Sequence, residues 1–283
     1  MAVDLPGARA APLAAASDEA RLDAVWTAAQ RWEPWRRLLL PVAGGAALLF
    51  VWWALVAIFH VRPFIAPSPE VVAITFYQKF GMLMANLGPT ALEALCGFLL
   101  GNTAAIAIAT VFVHRKSIEQ AFFPIAVLVH SIPVVATAPI LVLLLGNGLA
   151  PKVSIAAIIC FFPTLVNMVR GLESVGAQPM ELMHVLSATQ WEVFFKLRVP
   201  TSLPFLFSAL RIAASTATVG AIVGEWIGSQ VGIGALIIQA TYNFDSALLY
   251  STVLCGSFFS VALFQVVRLI ERLVVRWDVG AVG

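Results

Sequence analysis

Charged side chains are scarce in this sequence: Asp, Glu, Lys and Arg together make up 11% of the 283 residues, whereas apolar residues make up 60%. A soluble globule of this size needs much more polar surface to face water. The mean hydropathy of +0.93 points the same way. The composition therefore argues against a soluble domain and predicts a polytopic membrane protein.

Cysteines are also few, and the three present, Cys96, Cys160 and Cys255, all fall inside apolar segments. Their number is odd and their spacing matches no metal-binding pattern, which argues against a disulfide framework or a metal site. Free cysteines in such surroundings behave as small apolar residues. The net charge of +2 is small and implies no nucleic-acid partner.

The N-terminal segment lacks the apolar stretch that a cleaved secretory signal requires. It is rich in alanine with scattered charges, and we expect residues 1–37 to form a cytoplasmic tail. Trp32, Trp35, Arg36 and Arg37 give the aromatic and basic marking that is typical of the start of a membrane helix.

Apolar runs of membrane-spanning length predict an all-α membrane protein with six transmembrane helices in residues 38–277, followed by a cytoplasmic tail at 278–283. An interfacial helix at 70–84, closed by Gly88 and Pro89, is expected between the first two spans. The spans are predicted at 38–59, at 92–113, after a break at 131–133 within 118–145, at 153–169, at 203–224 and at 248–270. Gly97 with Gly101, and Gly220 with Gly224, have the spacing that allows close contact between helices.

The distribution of Lys and Arg predicts that both termini are cytoplasmic. Three cations, Arg62, Lys79 and Lys152, then lie outside. The inner side collects Arg31, Arg36, Arg37, Arg115, Lys116, Arg170, Lys196, Arg198, Arg272 and Arg276.

Residues 176–204 form a long amphipathic interruption between the fourth and fifth spans, and this orientation makes it cytoplasmic. Apolar residues recur at helical spacing on both sides of a break at Ser187 and Ala188, which predicts two short helices. Thr189 and Glu192 have the form of a capping box at the start of the second helix. Pro200 is expected to end that helix.

This loop resembles the EAA loop of permease subunits of binding-protein-dependent ABC importers. Glu181, Ser187 and the segment 197–200 keep the spacing of that motif, whereas Leu182 and Met183 replace its two alanines and Ser187 replaces its glycine. Segments 66–72, 130–148, 210–237 and 269–277 resemble the branch that transports nitrate, taurine, alkanesulfonates and pyrimidine precursors.

The resemblance implies a type I importer permease with cytoplasmic coupling helices that dock on a separate ATPase subunit. It also implies a homodimer in a bacterial inner membrane, with two ATPase subunits and an extracytoplasmic solute-binding protein as partners. The sequence has no G-x-x-x-x-G-K-[ST] phosphate loop, so we expect ATP and Mg²⁺ to be bound by the ATPase and no cofactor or metal by this chain. The expected coupling residues are Glu181, Ser187, Ala188, Thr189, Trp191, Phe194, Leu197 and Pro200. The alternative for this loop is an amphipathic helix lying in the lipid interface.

A few polar residues inside the spans are candidates for the translocation path. They are His130, Ser131, Arg211, Ser215 and Thr218. His130 and Ser131 precede a proline break, where transporters often place substrate contacts, although a packing role for His130 is the alternative. Arg211 is equally compatible with structural pairing, and Glu225 with a carboxylate at the outer surface that docks nearby loops.

These features together predict a permease subunit that passes a small solute, such as a sulfonate, nitrate or a pyrimidine precursor, and performs no bond chemistry. Two other classes of membrane protein fit the sequence less well. An ion-coupled secondary transporter would need carboxylates within the spans, which are nearly absent away from the span ends. A membrane-embedded enzyme would need clustered catalytic side chains, and none occurs at catalytic spacing.

Overall fold

The protein is all-helical in the part of the chain described by this computed structural model, namely residue 36 and residues 39–275. The helices are α1 (Leu39–Ile58), α2 (Pro69–Gln78), α3 (Phe80–His114), α4 (Lys116–His130), α5 (Val134–Leu145), α6 (Leu149–Glu173), α7 (Ala177–Val185), α8 (Gln190–Val193), α9 (Val199–Glu225), α10 (Ile233–Tyr242) and α11 (Ser246–Val274). A π-helical turn, Phe194–Arg198, joins α8 to α9.

Long apolar helices dominate the described residues. Five of them, α1, α3, α6, α9 and α11, are long and apolar enough to cross a membrane, and the bent pair α4 and α5 would add a sixth crossing. The predicted all-α membrane fold is therefore confirmed. The chain divides into two units, residues 1–62 and 63–283, and α1 is the helix described in the first. The predicted tail, with Trp32, Trp35 and Arg37, and the C-terminal tail lie outside the described residues.

Helix α6 lies between α3 and α9, and glycines bring both neighbours against its backbone. A methyl group added to Gly97 of α3 would overlap the Cβ of Ala156, and one added to Gly220 of α9 would lie 2.7 Å from the Cα of the same alanine. The predicted small-residue contacts are confirmed. Ala156 is fully buried as a result.

Helix α3 differs from the prediction at its N-terminal end. Gly88 and Pro89 were expected to end an interfacial helix, but α3 runs through both, and the break lies at Lys79 instead. Pro89 removes one backbone donor from α3 without interrupting the helix. One turn earlier, the side chain of Asn86 donates to the carbonyl oxygen of Met82 at 2.9 Å.

The predicted break at 131–133 is present. Helices α4 and α5 meet there at an angle of 98°. Pro133 is the N-cap residue of α5 and cannot continue α4, because a proline ring disfavours helical geometry in the preceding residue.

Pro200 does not end the second loop helix, and this prediction was wrong. The chain passes from α8 through the π-helical turn into α9 without a break, and Pro200 lies in the first turn of α9. The N–H of Val199 bonds to the carbonyl of Phe194, five residues back. Widening the helix by one residue per turn accommodates the proline ring and its missing donor.

The glycine contact of α3 with α6 gives a stability prediction. Gly97→Ala should destabilise the protein by about 1–3 kcal/mol, because overpacking forces the backbones apart. Gly81→Ala on the same helix is the control, since no atom lies within 4 Å of the added methyl group. Thermal unfolding of both variants in detergent measures the difference. Equal stability would contradict the close packing of α3 on α6.

Candidate functional site

The loop between α6 and α9 consists of two short helices separated by a sharp turn. Ser187 adopts a left-handed conformation with φ 51°, and the N–H of Ala188 bonds back to the carbonyl of Met183. Thr189 then starts α8 with the predicted capping box: its hydroxyl accepts from the N–H of Glu192 at 3.3 Å, and its own N–H donates to the Glu192 carboxylate at 3.0 Å. The predicted break and cap are both confirmed.

Phe194 anchors the loop to the ends of the long helices. It is 6% exposed and belongs to an apolar cluster with Phe112 of α3 and Leu165 of α6. His114, the last residue of α3, lies against it with ring centroids 5.0 Å apart. The foot of the loop is therefore part of the protein core.

Polar contacts hold the same region. Lys116 at the start of α4 forms ion pairs with Glu119 and with Glu173 at the end of α6. Arg198 donates to the carbonyl of Leu172 at 3.4 Å. These contacts fix the ends of α4, α6 and α9 to one another beside the loop.

The outer side of the loop is an apolar surface, which we call the loop surface. It consists of Leu182, Val185, Leu186, Trp191 and Phe195, each more than half exposed. The rings of Trp191 and Phe195 are stacked, with centroids 5.9 Å apart. Exposed apolar side chains grouped outside the long helices are typical of a docking site.

The predicted coupling residues fall into two groups. Phe194, Leu197 and Pro200 are buried or half-buried at the foot of the loop. The others, Glu181, Ser187, Thr189 and Trp191, are exposed, and Ala188 is half-buried at the turn. The structure therefore separates residues that position the loop from residues that are available to a partner.

The predicted path residues do not converge on one cluster. His130 stacks on Phe162 of α6, with ring centroids 4.2 Å apart, and Ser131 bonds to its own helix. Arg211 forms an ion pair with Glu271 of α11 at 3.1 Å, the structural pairing that was its alternative role. Thr218 is buried and Ser215 is half-buried on α9.

An apolar groove of about 560 Å³ lies beside His130. Helices α3, α4 and α6 line it, and its aromatic residues are Phe112, Phe122, Phe161 and Phe162. The volume falls in the range of small-molecule sites.

Sequence reasoning missed a buried polar group at the end of α6 opposite the loop. Lys152 donates to Glu93 of α3 at 2.9 Å and to Ser229 at 2.8 Å. Glu225, at the end of α9, accepts from Thr90 of α3 at 2.6 Å and from the N–H of Gly234 at 2.5 Å. We call Glu93, Lys152 and Glu225 with Thr90 the distal cluster. The sequence signal was a charged residue near the end of each of three different apolar segments.

The distal cluster holds the segment between α9 and α10. The N–H of Ile233 donates to Thr90 at 2.8 Å and that of Gly232 to Asn86 at 3.0 Å, while Asn147 donates to the carbonyl of Gly228 at 2.9 Å. Glu225 thus docks a nearby loop, as one alternative expected, but it is buried and not at the surface.

Lys79, at the start of α3, forms an ion pair with Asp245, at the start of α11, at 2.8 Å. Partial burial raises the pKa of Asp245, but the Lys79 ammonium and the N–H of Leu248 outweigh that effect and hold the pKa below its ordinary value. The carboxylate therefore stays ionised and caps α11.

Comparison with known proteins supports a transport role. The family described as "Binding-protein-dependent transport system inner membrane component" matches residues 97–277.

Several curated relatives match over most of their length. The riboflavin transport system permease protein RibX of Chloroflexus aurantiacus is 37% identical over 88% of this chain and 93% of its own. The formylaminopyrimidine transport permease protein ThiX of Halalkalibacterium halodurans is 30% identical over 81% and 92%. The putative aliphatic sulfonates transport permease protein SsuC of Bacillus subtilis is 26% identical over 85% and 86%.

Among solved structures, an inward-facing conformation of the MetNI methionine ABC transporter matches with a TM-score of 0.55 and 18% identity. The match covers 68% of this chain and 94% of that one. At this identity the likeness establishes a shared fold.

The anchoring role of Phe194 is testable by comparison with its neighbour. Phe194→Ala should destabilise the protein by about 3–5 kcal/mol, because it empties a packed site. Phe195→Ala should have little effect, since Phe195 is 62% exposed. Thermal unfolding of the purified chain measures both. An equal loss for the two variants would contradict the assignment.

Proposed function

This chain belongs to the family of inner-membrane components of binding-protein-dependent transport systems, and we propose that it acts as the permease subunit of an ABC importer. Two copies form the translocation path for a small solute. An extracytoplasmic binding protein delivers the solute on one side, and two ATPase subunits bind the loop surface on the other. Both termini are cytoplasmic.

The loop surface is the observation that carries the proposal. Five apolar side chains are exposed on a segment whose foot is fixed in the core by Phe194. A rigid apolar surface with aromatic residues is suited to a stable protein contact, because little conformational entropy is lost on binding. A helix in the lipid interface would need a continuous apolar face, whereas the turn at Ser187 divides this one.

The proposed orientation rests on the number of Lys and Arg on each side, because carboxylates contribute little to it. Ten of the cations named above lie on the proposed inner side and three on the outer side. Among the inner cations, Arg115 and Arg170 are exposed near the loop.

For the solute, we propose a planar nitrogen heterocycle. The relatives with 37% and 30% identity are described as permeases for riboflavin and formylaminopyrimidine, both of which contain such a ring, while the sulfonate permease is 26% identical. The groove beside His130 supports this choice. Its phenylalanine rings and the imidazole stacked on Phe162 offer flat surfaces on which a heterocycle can stack.

The competing function is an ion-coupled secondary transporter. The distal cluster supplies two buried carboxylates of the kind that ion coupling requires. The two functions differ in energy source: transport in proteoliposomes should stop without ATP and persist when ionophores collapse the ion gradients. The reverse result would favour the secondary transporter.

The loop surface predicts a separation between stability and coupling. Phe195→Ala should weaken ATPase binding about tenfold or more, because truncating an anchor residue of an interface costs roughly 2 kcal/mol. Binding of the purified ATPase subunit to the permease in nanodiscs measures the effect, and ATP-driven uptake should fall with it.

Gln190→Ala is the matched control, since Gln190 is an exposed polar residue of α8, the helix that leads directly into the turn carrying Phe195. It should leave binding and uptake unchanged. Unchanged ATPase binding in Phe195→Ala would exclude the loop surface as the docking site.

The solute proposal is tested with the binding protein and ATPase reconstituted beside the permease. Phe162→Ala should reduce uptake of a nitrogen heterocycle, because it removes the ring on which His130 stacks. Phe162→Leu keeps an apolar side chain but removes the ring, so a loss of uptake in this variant is due to lost stacking and not to lost packing. Uptake of an alkanesulfonate with no uptake of the heterocycle would contradict the proposal.

A further inference from the structure

We propose that Glu93 and Glu225 form a proton-binding site in which one proton is shared between their carboxyl groups. The site lies at the end of the long helices opposite the loop surface, and it does not depend on the proposed function.

The geometry brings the two carboxyls together from different helices. Thr90 and Glu93 are three residues apart on α3 and so lie on one face of that helix. Thr90 donates to Oε1 of Glu225 at 2.6 Å, which places the end of the Glu225 side chain beside that face. Lys152, which donates to Glu93, lies against the neighbour of Glu225 on α9: a methyl group added to Gly224 would lie 3.0 Å from the Lys152 Cα.

Both carboxyls are removed from solvent. Glu93 is 3% exposed, Glu225 1% and Lys152 7%. One oxygen of Glu93, Oε1, accepts from Lys152 at 2.9 Å, but its Oε2 is buried and has no hydrogen-bond partner among the described residues. A buried oxygen without a donor is costly, and it is therefore the position at which a bound ligand is expected.

The charges of the cluster point to the identity of that ligand. The cluster holds two carboxyls, Glu93 from α3 and Glu225 from α9, and one ammonium, Lys152 from α6, which donates to Glu93. If both carboxyls were ionised, the buried group would carry a net negative charge, which is strongly unfavourable at low dielectric. One proton balances the charge and supplies the donor that Oε2 of Glu93 lacks. Carboxyl pairs that share a buried site commonly hold one proton in this way.

The packing favours a proton over a metal ion or another hydrated cation. A methyl group added to Gly232 would overlap Oε1 of Glu225, and one added to Gly234 would lie 2.9 Å from Oε2. Backbone therefore closes on both oxygens of Glu225. A larger ion needs several further oxygen ligands and the space to hold them.

Infrared spectroscopy of the full chain in nanodiscs tests the proposal at neutral pH. A protonated carboxyl has a C=O stretching band that shifts in deuterium oxide and that an ionised carboxylate lacks. The wild-type chain should show such a band, and both Glu93→Gln and Glu225→Gln should lose it, because the remaining carboxylate is neutralised by Lys152. The control Glu70→Gln changes an exposed carboxyl and should keep the band. Absence of the band from the wild-type chain, or its survival in either Gln variant, would overturn the shared proton.

Thermal stability gives a second measurement that does not depend on assigning a band. Each single Gln variant should unfold at the wild-type temperature, because the cluster stays neutral. The double variant should unfold at a lower temperature, since Lys152 loses its counterion, and adding Lys152→Met should restore the loss. A single Gln variant more stable than wild type would show that both carboxyls are ionised, and would overturn the proposal.

Discussion

The close approach of three backbones at Ala156 is the contact on which the rest of the molecule depends. Gly97 and Gly220 both meet this residue, so α3 and α9 are held against α6 with only the alanine methyl group at the contact. In a membrane, where apolar side chains gain little from leaving lipid, such close van der Waals contact is a main source of helix association. The arrangement also fixes the axial position of the three helices, because a glycine must lie opposite each contact. This central contact therefore sets which residues of α3 and α9 lie beside each end of α6.

The contacts at the two ends of these helices differ in kind. At one end, Phe194 enters an apolar cluster of α3 and α6 and so holds the loop between α6 and α9, leaving aromatic and aliphatic side chains exposed. At the other end, Lys152 and two carboxyls from α3 and α9 bring buried charged groups together. Apolar packing thus holds the loop that carries the loop surface, and polar contacts hold the segment between α9 and α10.

The sequence predicted features that depend on local chemistry. The capping box at Thr189, the break at Ser187 and the proline bend before α5 each follow from a few adjacent residues, and all are present. Proline was the main source of error: Pro89 and Pro200 both lie within continuous helical structure, and a π-helical turn precedes Pro200. The distal cluster was missed since Glu93, Lys152 and Glu225 are far apart in sequence. Only the contact of α3, α6 and α9 reveals that their charges meet.

The π-helical turn between α8 and α9 makes the loop an extension of a long helix. On this side the backbone has no hinge, whereas on the other side the chain leaves α6 through residues 174–176, which belong to no helix. Glu225 is the last residue of α9, so one continuous run of helical backbone connects the loop surface to the distal cluster.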